Sequence, residues 1–169
     1  MLILSTLFTV EAKKNYVCDA TVAFKEYADT VFRLAFLRTG NTADADDIMS
    51  EVFLRLVKNI NKIKNEEHLK AWLIRATINC CNSFFKKSKK INHIRITEVD
   101  AVYEIKEDSV LSAVLSLPSH QKDVVYMHYF EGYSVEEIAK VSSVAVGTVK
   151  SRLSRARESL RNTLRGEYF

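Results

Sequence analysis

Cations with short polar residues between them dominate the end of the chain. Lys140, Lys150, Arg152, Arg155, Arg157, Arg161 and Arg165 crowd a stretch in which Glu158 is nearly the only acid before the terminus. Guanidinium and ammonium groups at this density suit a polyanionic partner. In the same stretch Val146, Val149, Leu153, Ala156, Leu160 and Leu164 recur at spacings of three and four, which turns one stripe of a helix inward. At about 100° per residue, Ser151, Ser154 and Arg155 then lie opposite that stripe, with Lys150, Arg152 and Arg157 flanking it. A DNA major groove admits such a surface. The flanking cations can neutralise phosphates and set register, while Arg155 can donate two hydrogen bonds to a guanine edge.

Two further constellations lie upstream. Arg75, Asn79, Asn82, Ser83, Lys86 and Lys87, with Phe85 nearby, mix hydrogen-bonding groups and cations on one helical surface. Such a mixture can hold single-stranded nucleic acid through phosphates and base edges, although an ordinary solvated face has the same composition. Before it, Ile48, Met49, Val52, Phe53, Leu56, Val57 and Ile60 cover roughly 180° of a helix, wider than a simple core stripe. Leu54 falls outside even that stripe, among Asp47, Ser50, Glu51, Arg55 and Lys58. One large apolar residue among charges suits a helix-docking surface.

Catalysis is not expected. Gly40, Gly132, Gly147 and Gly166 are too scattered for a phosphate-binding loop, and no nucleophile motif occurs. His68, His93, His120 and His128 lack zinc-site spacing, so neither a metal nor another cofactor is expected. Cys18, Cys80 and Cys81 are odd in number and include an adjacent pair, which points to a reducing cytoplasm and to packing roles rather than a redox switch.

The elements that must position these groups are helices. Of 169 residues 47% are hydrophobic and 27% charged, which suits one or two compact domains, and a single proline with four glycines favours an all-α chain. Residues 24–37 carry an apolar stripe of Phe24, Tyr27, Ala28, Val31, Phe32 and Ala35, ended by Gly40 and Asn41. Asn41 or Thr42 caps a helix running to about Ile60, and Asn65 caps another that buries Leu69, Trp72, Leu73, Ala76, Cys80 and Phe84. That helix ends in Lys86, Lys87, Lys89 and Lys90, and an acid-richer linker follows. Beyond it, Pro118 and Ser119 open a segment whose Val124, Val125, Met127, Tyr129 and Phe130 form a dense apolar helix stopped at Gly132. Ser134 and Glu137 make a capping box, Ser142 and Ser143 interrupt the pattern after about two turns, and the basic helix begins near Val146. Short helix, turn and long helix make a DNA-binding helix-turn-helix. The apolar opening, residues 1–10, has no preceding cation and no membrane-spanning length, so a secretory signal is not expected.

In this order the modules resemble the sigma-70 family of RNA polymerase sigma factors, particularly its small extracytoplasmic-function (ECF) group. GYSVEEIAKVSSVAVGTVKSRLSRARESLR is similar to the region-four helix-turn-helix, and DADDIMSEVFLRL and HLKAWLIRATIN to parts of region two. The resemblance implies an all-α protein of two small domains, a region-two bundle over 19–90 and a region-four unit over 109–169. An extension over 1–18 and a linker over 91–108 complete the chain. It implies transcription initiation without enzymatic activity, with core RNA polymerase (largest-subunit clamp helices and flap) and promoter DNA as partners, and an anti-sigma factor, often membrane-anchored, as a third. Asp47, Ser50, Glu51, Leu54 and Arg55 would dock on the clamp helices. Arg75, Asn79, Ser83, Lys86 and Lys87 would meet the melted minus-ten element. Thr148, Lys150, Ser151, Arg152, Ser154, Arg155 and Arg157 would serve the minus-thirty-five duplex. Three positions depart from the family pattern: Ser50 for a glutamine, Ser143 for the turn glycine and Ala145 for a proline. The rival reading is a stand-alone helix-turn-helix regulator holding duplex DNA by itself.

Overall fold

The computed structural model describes residues 18–92 and 109–167. The N-terminal extension and most of the linker expected above, with His93 and the acid-richer segment, lie outside these residues.

Seven α-helices form the described residues. Helix α1 (Ala20–Thr39) starts at Asp19, whose carboxylate accepts the N–H of Thr21 and Val22 at 2.7 and 3.1 Å. Those two bonds hold the Asp19 carboxyl below its ordinary range. At the other end Gly40 takes the left-handed conformation (φ 70°) and donates its N–H to the Phe36 carbonyl, a turn that a side chain would strain. Asn41 caps α2 (Thr42–Asn59) by accepting the Asp44 N–H, and a 3-10 turn over Ile60–Lys62 follows. Helix α3 (Glu66–Asn92) opens with the His68 N–H donated to Asn65 at 2.7 Å.

These three helices enclose one core containing Val31, Ala35, Ala45, Val52, Leu56, Leu73 and both Cys80 and Cys81. Burial pushes the Cys81 thiol up to about 11. Since the thiolate is the nucleophile, native Cys81 is expected to resist alkylation at pH 8 and to react only on unfolding. Labelling followed by mass spectrometry checks this, and rapid modification of native Cys81 would restore a redox role.

The second module contains α4 (Ser109–Ser116), α5 (Ser119–Val125), α6 (Val135–Ser142) and α7 (Val146–Glu167). Pro118 stands at the entry to α5, which widens into a π turn over Tyr126–Phe130, and Gly132 (φ 72°) makes the bend beyond it. The capping box of α6 is complete, with the Glu137 N–H donated to the Ser134 hydroxyl and the Ser134 N–H donated to the Glu137 carboxylate.

Three expectations about faces need correcting. Tyr129 and Phe130 are exposed, because the π turn rotates the end of the apolar segment away from the core. Val57 and Phe24, counted with the inward stripes of their helices, are also exposed. Leu34 and Leu37, which lie outside the stripe read on α1, are buried against the other module.

The two modules therefore share a core rather than standing apart. Leu34 and Leu37 of α1 and Ile74 of α3 pack in one cluster with Val114, Val124, Met127, Ile138 and Val141. Polar groups cross the same boundary. The Arg38 guanidinium donates to both Asp123 oxygens at 2.9 and 2.7 Å, and Lys70 pairs with Glu131 at 2.9 Å. Gln121, Lys122 and Asp123 are all buried on α5, and burial raises the Asp123 carboxyl even against the opposing Arg38 charge.

Candidate nucleic-acid interface and docking groove

Helix α7 delivers its cations outward. Val149, Leu153 and Ala156 are buried and set its inner face. Lys150, Ser151, Ser154, Arg155 and Arg157 are exposed, while Thr148 and Arg152 are half-buried. Burial raises the Asp123 carboxyl, and the Arg152 charge opposes this after that of Arg38, so this cation also acts toward the protein. Arg155 enters none of the side-chain hydrogen bonds or ion pairs found among the described residues. Its guanidinium is free for a base edge, the condition for bidentate readout.

The turn before α7 carries strain. Ser143 takes φ 54° and ψ 46°, a left-handed conformation that favours glycine, and the Val144 N–H returns to the Ala139 carbonyl at 3.0 Å to end α6. A left-handed non-glycine residue costs about 1–2 kcal/mol, whereas glycine gives back about 0.5–1 kcal/mol through the unfolded chain's entropy. Ser143→Gly is expected to stabilise the fold by a net amount below about 1 kcal/mol, visible as a higher unfolding midpoint in calorimetry. A lower midpoint would show that the serine side chain earns its place.

On α3, Asn79, Ser83, Lys86 and Lys87 are exposed along one side. Beside them a cleft of about 260 Å³ is lined by Arg55, Asn59, Trp72, Arg75, Ala76 and Asn79. This lies just below the range of drug-sized pockets, as suits one planar base rather than a chain segment. An indole, two guanidinium groups and two amides line it, groups that can stack on a base and hydrogen-bond its edge. The apolar stripe of α3 predicts Trp72 as core; it is half-buried, packs against that core and also lines the cleft, and Asn59, which no helical pattern marks, lines it too. Arg75 is exposed, yet its Nε donates to the Val141 carbonyl and its Nη2 to the Lys140 carbonyl, both at 2.9 Å.

The docking residues expected on α2 divide between two sides. Ser50 and Leu54 line an apolar groove with Ala20, Thr21, Phe24, Phe53 and Val57. Phe24 and Phe53 meet edge to face, with ring centroids 4.9 Å apart. Leu54, Val57 and Phe24 present 58%, 56% and 46% of their surfaces to solvent, so three large apolar side chains stand exposed around this one groove. Glu51 and Arg55 instead pair with each other at 2.7 Å, and Arg55 turns toward the α3 cleft. Asp47 is exposed close to Asp44, whose carboxyl is raised mainly by burial and also by the Asp47 charge.

An outward basic helix on a helix-turn-helix, joined to a second helical module with its own polar cleft and apolar groove, defines a DNA-binding protein built to engage a further macromolecule. Residues 23–91 match the family Sigma-70 region 2, and residues 107–160 match Sigma-70, region 4. The chain is 30% identical to the ECF RNA polymerase sigma factor SigW of Bacillus subtilis, over 82% of this chain and 85% of that protein. It is 29% identical to the RNA polymerase sigma factor SigV of the same organism, over 84% and 89%. The chain belongs to the sigma-70 family of RNA polymerase sigma factors, in its ECF group. Its fold is similar to that of the sigma factor RpoE solved in complex with the anti-sigma factor NepR from Bartonella quintana. The TM-score is 0.72 at 22% identity, covering 86% of this chain and 96% of that one. Among the described residues no helix is long and apolar enough to cross a membrane.

Proposed function

We propose that residues 19–90 dock the chain on core RNA polymerase and hold the melted minus-ten strand, and that residues 109–169 read the minus-thirty-five duplex across the linker 91–108. The apolar groove around Leu54 and Ser50 receives the clamp helices of the largest subunit, with Asp47 and Glu51 adding charge on the exposed surface of α2. Arg55, Arg75 and Asn79 face a base lifted from the non-template strand, and Ser83, Lys86 and Lys87 follow its backbone. Lys150, Arg152, Arg157 and Thr148 position α7 on phosphates, while Ser151, Ser154 and Arg155 meet bases. The protein acts without catalysing a reaction, in the cytoplasm, and the flap of the polymerase is the partner of the C-terminal module. RpoE, solved with its anti-sigma factor, resembles this chain in fold, and the exposed docking surfaces here suit masking by an anti-sigma partner.

The observation that carries this reading is the coexistence of the exposed Leu54 groove with the outward cationic face of α7. A stand-alone regulator needs only the second. Core polymerase supplemented with the purified chain is expected to give discrete run-off transcripts from promoters selected by genome-wide mapping. Transcription unaltered by its addition would leave the stand-alone regulator as the better reading.

A further inference from the structure

We propose that the Leu54 groove has an occupant within the chain itself: the apolar segment over residues 1–10, which lies outside the described residues, folds back across the start of α1 and covers Phe24, Leu54 and Val57. Its competition with core polymerase rests on the docking reading proposed above; the occupancy does not.

The groove supplies the first observation. Three large apolar side chains from two helices stand exposed around it, and at about 510 Å³ it takes a few side chains rather than a whole domain. A site of that kind suits one amphipathic helix, laid in by residues spaced three and four apart.

The segment has that spacing. Seven of residues 1–10 are apolar and none is charged. At about 100° per residue, Ile3, Leu4, Leu7, Phe8 and Val10 fall within about 160° of one another, and Ser5, Thr6 and Thr9 lie opposite. Only Leu2 breaks the division. Such a stripe contributes nothing until water is removed from it, and the nearest described surface able to do so is the groove.

Position and length agree. Cys18 packs against the core of the first module, Asp19 caps α1, and Ala20 and Thr21 already line the groove, so the preceding chain joins the fold at the groove's own end. The seven residues 11–17 reach about 24 Å when extended, while Ser50 to Val57 spans about 10 Å of helix and ten helical residues about 15 Å. Reach is therefore not limiting. Charge agrees as well: Lys13 and Lys14 follow the apolar run, and Asp47 and Glu51 precede Ser50 and Leu54 by three positions, which makes them surface neighbours of groove residues. Glu51 is already paired with Arg55, which leaves Asp47 for a lysine.

The tether makes weak binding sufficient. A short link gives an effective concentration on the order of 1 mM, so an intrinsic dissociation constant of about 0.1 mM keeps the groove about nine-tenths filled. A partner that needs the same groove then binds about tenfold more weakly than its contacts alone allow.

The full chain with the photo-reactive residue p-benzoylphenylalanine in place of the exposed Val57 is expected, on irradiation, to cross-link to its own residues 1–10, mapped by mass spectrometry, at a yield independent of protein concentration. Leu7→Asp combined with Phe8→Asp alters no described residue; it is expected to abolish the cross-link and to bind labelled core polymerase about tenfold more tightly than the wild type. Absence of the intramolecular cross-link, or its persistence in the double variant, would overturn the inference, and a yield that rises with concentration would do so in favour of a second copy of the chain. A cross-link lost in the double variant with core affinity unchanged would uphold the occupancy and count against the groove as the polymerase-docking site.

Discussion

Leu54→Asp is expected to weaken association with core polymerase by roughly 30-fold or more while leaving the unfolding midpoint nearly unchanged. Leu54 is 58% exposed, so the fold gains little from it. In a docked groove with Phe24, Phe53 and Val57 it would lose its water, and burying a leucine side chain contributes about 1.5–3 kcal/mol. A carboxylate at that point replaces this gain by a desolvation cost, and central interface residues of this kind commonly exceed about 2 kcal/mol. Glu51→Gln provides the contrast. Its ion pair with Arg55 is about half exposed on both sides, where such pairs contribute less than about 1 kcal/mol. Binding to labelled core by fluorescence anisotropy measures both variants. Wild-type affinity in Leu54→Asp would move the docking surface elsewhere.

Arg155→Ala has the second large expected effect, on discrimination rather than on general affinity. An exposed arginine without a side-chain partner among the described residues can place two donors on a guanine, and losing such a pair costs about 1–3 kcal/mol at one base position, roughly 5- to 150-fold. Lys150→Ala should behave differently, weakening binding to all sequences alike and reducing the salt dependence by about one released ion. Selection of promoter variants with holoenzyme containing each substitution separates the two. A loss spread evenly over all base positions in Arg155→Ala would assign that arginine to a phosphate.

Much of this was legible because local rules act within a few residues. The capping box at Ser134 and Glu137, the cap at Asn41, the break at Gly40 and the inward stripe of Val149, Leu153 and Ala156 depend on spacing along one helix, and each is present. The strain at Ser143 was likewise signalled by a serine standing where the family places glycine. A helical count could not divide the α2 surface, because Leu54 and Arg55 are neighbours in sequence yet serve a groove formed with α1 and a cleft formed with α3. Nor could it find Trp72 in that cleft, since a large aromatic at a stripe position reads as core.

The sequence by itself determined most of the helices, several of their ends, the outward basic face of α7 and the family, since periodicity, capping and motif order are properties of neighbouring residues; α4 (Ser109–Ser116) and the π turn at Tyr126–Phe130 were not legible in it. Only the tertiary structure decided that Arg38 and Asp123, 85 positions apart, would share a buried contact and that Arg75 would cap α6. Those outcomes depend on where two helical surfaces meet. A charge that looks solvated along its own helix acquires its partner only when another element brings one close and removes the water between them.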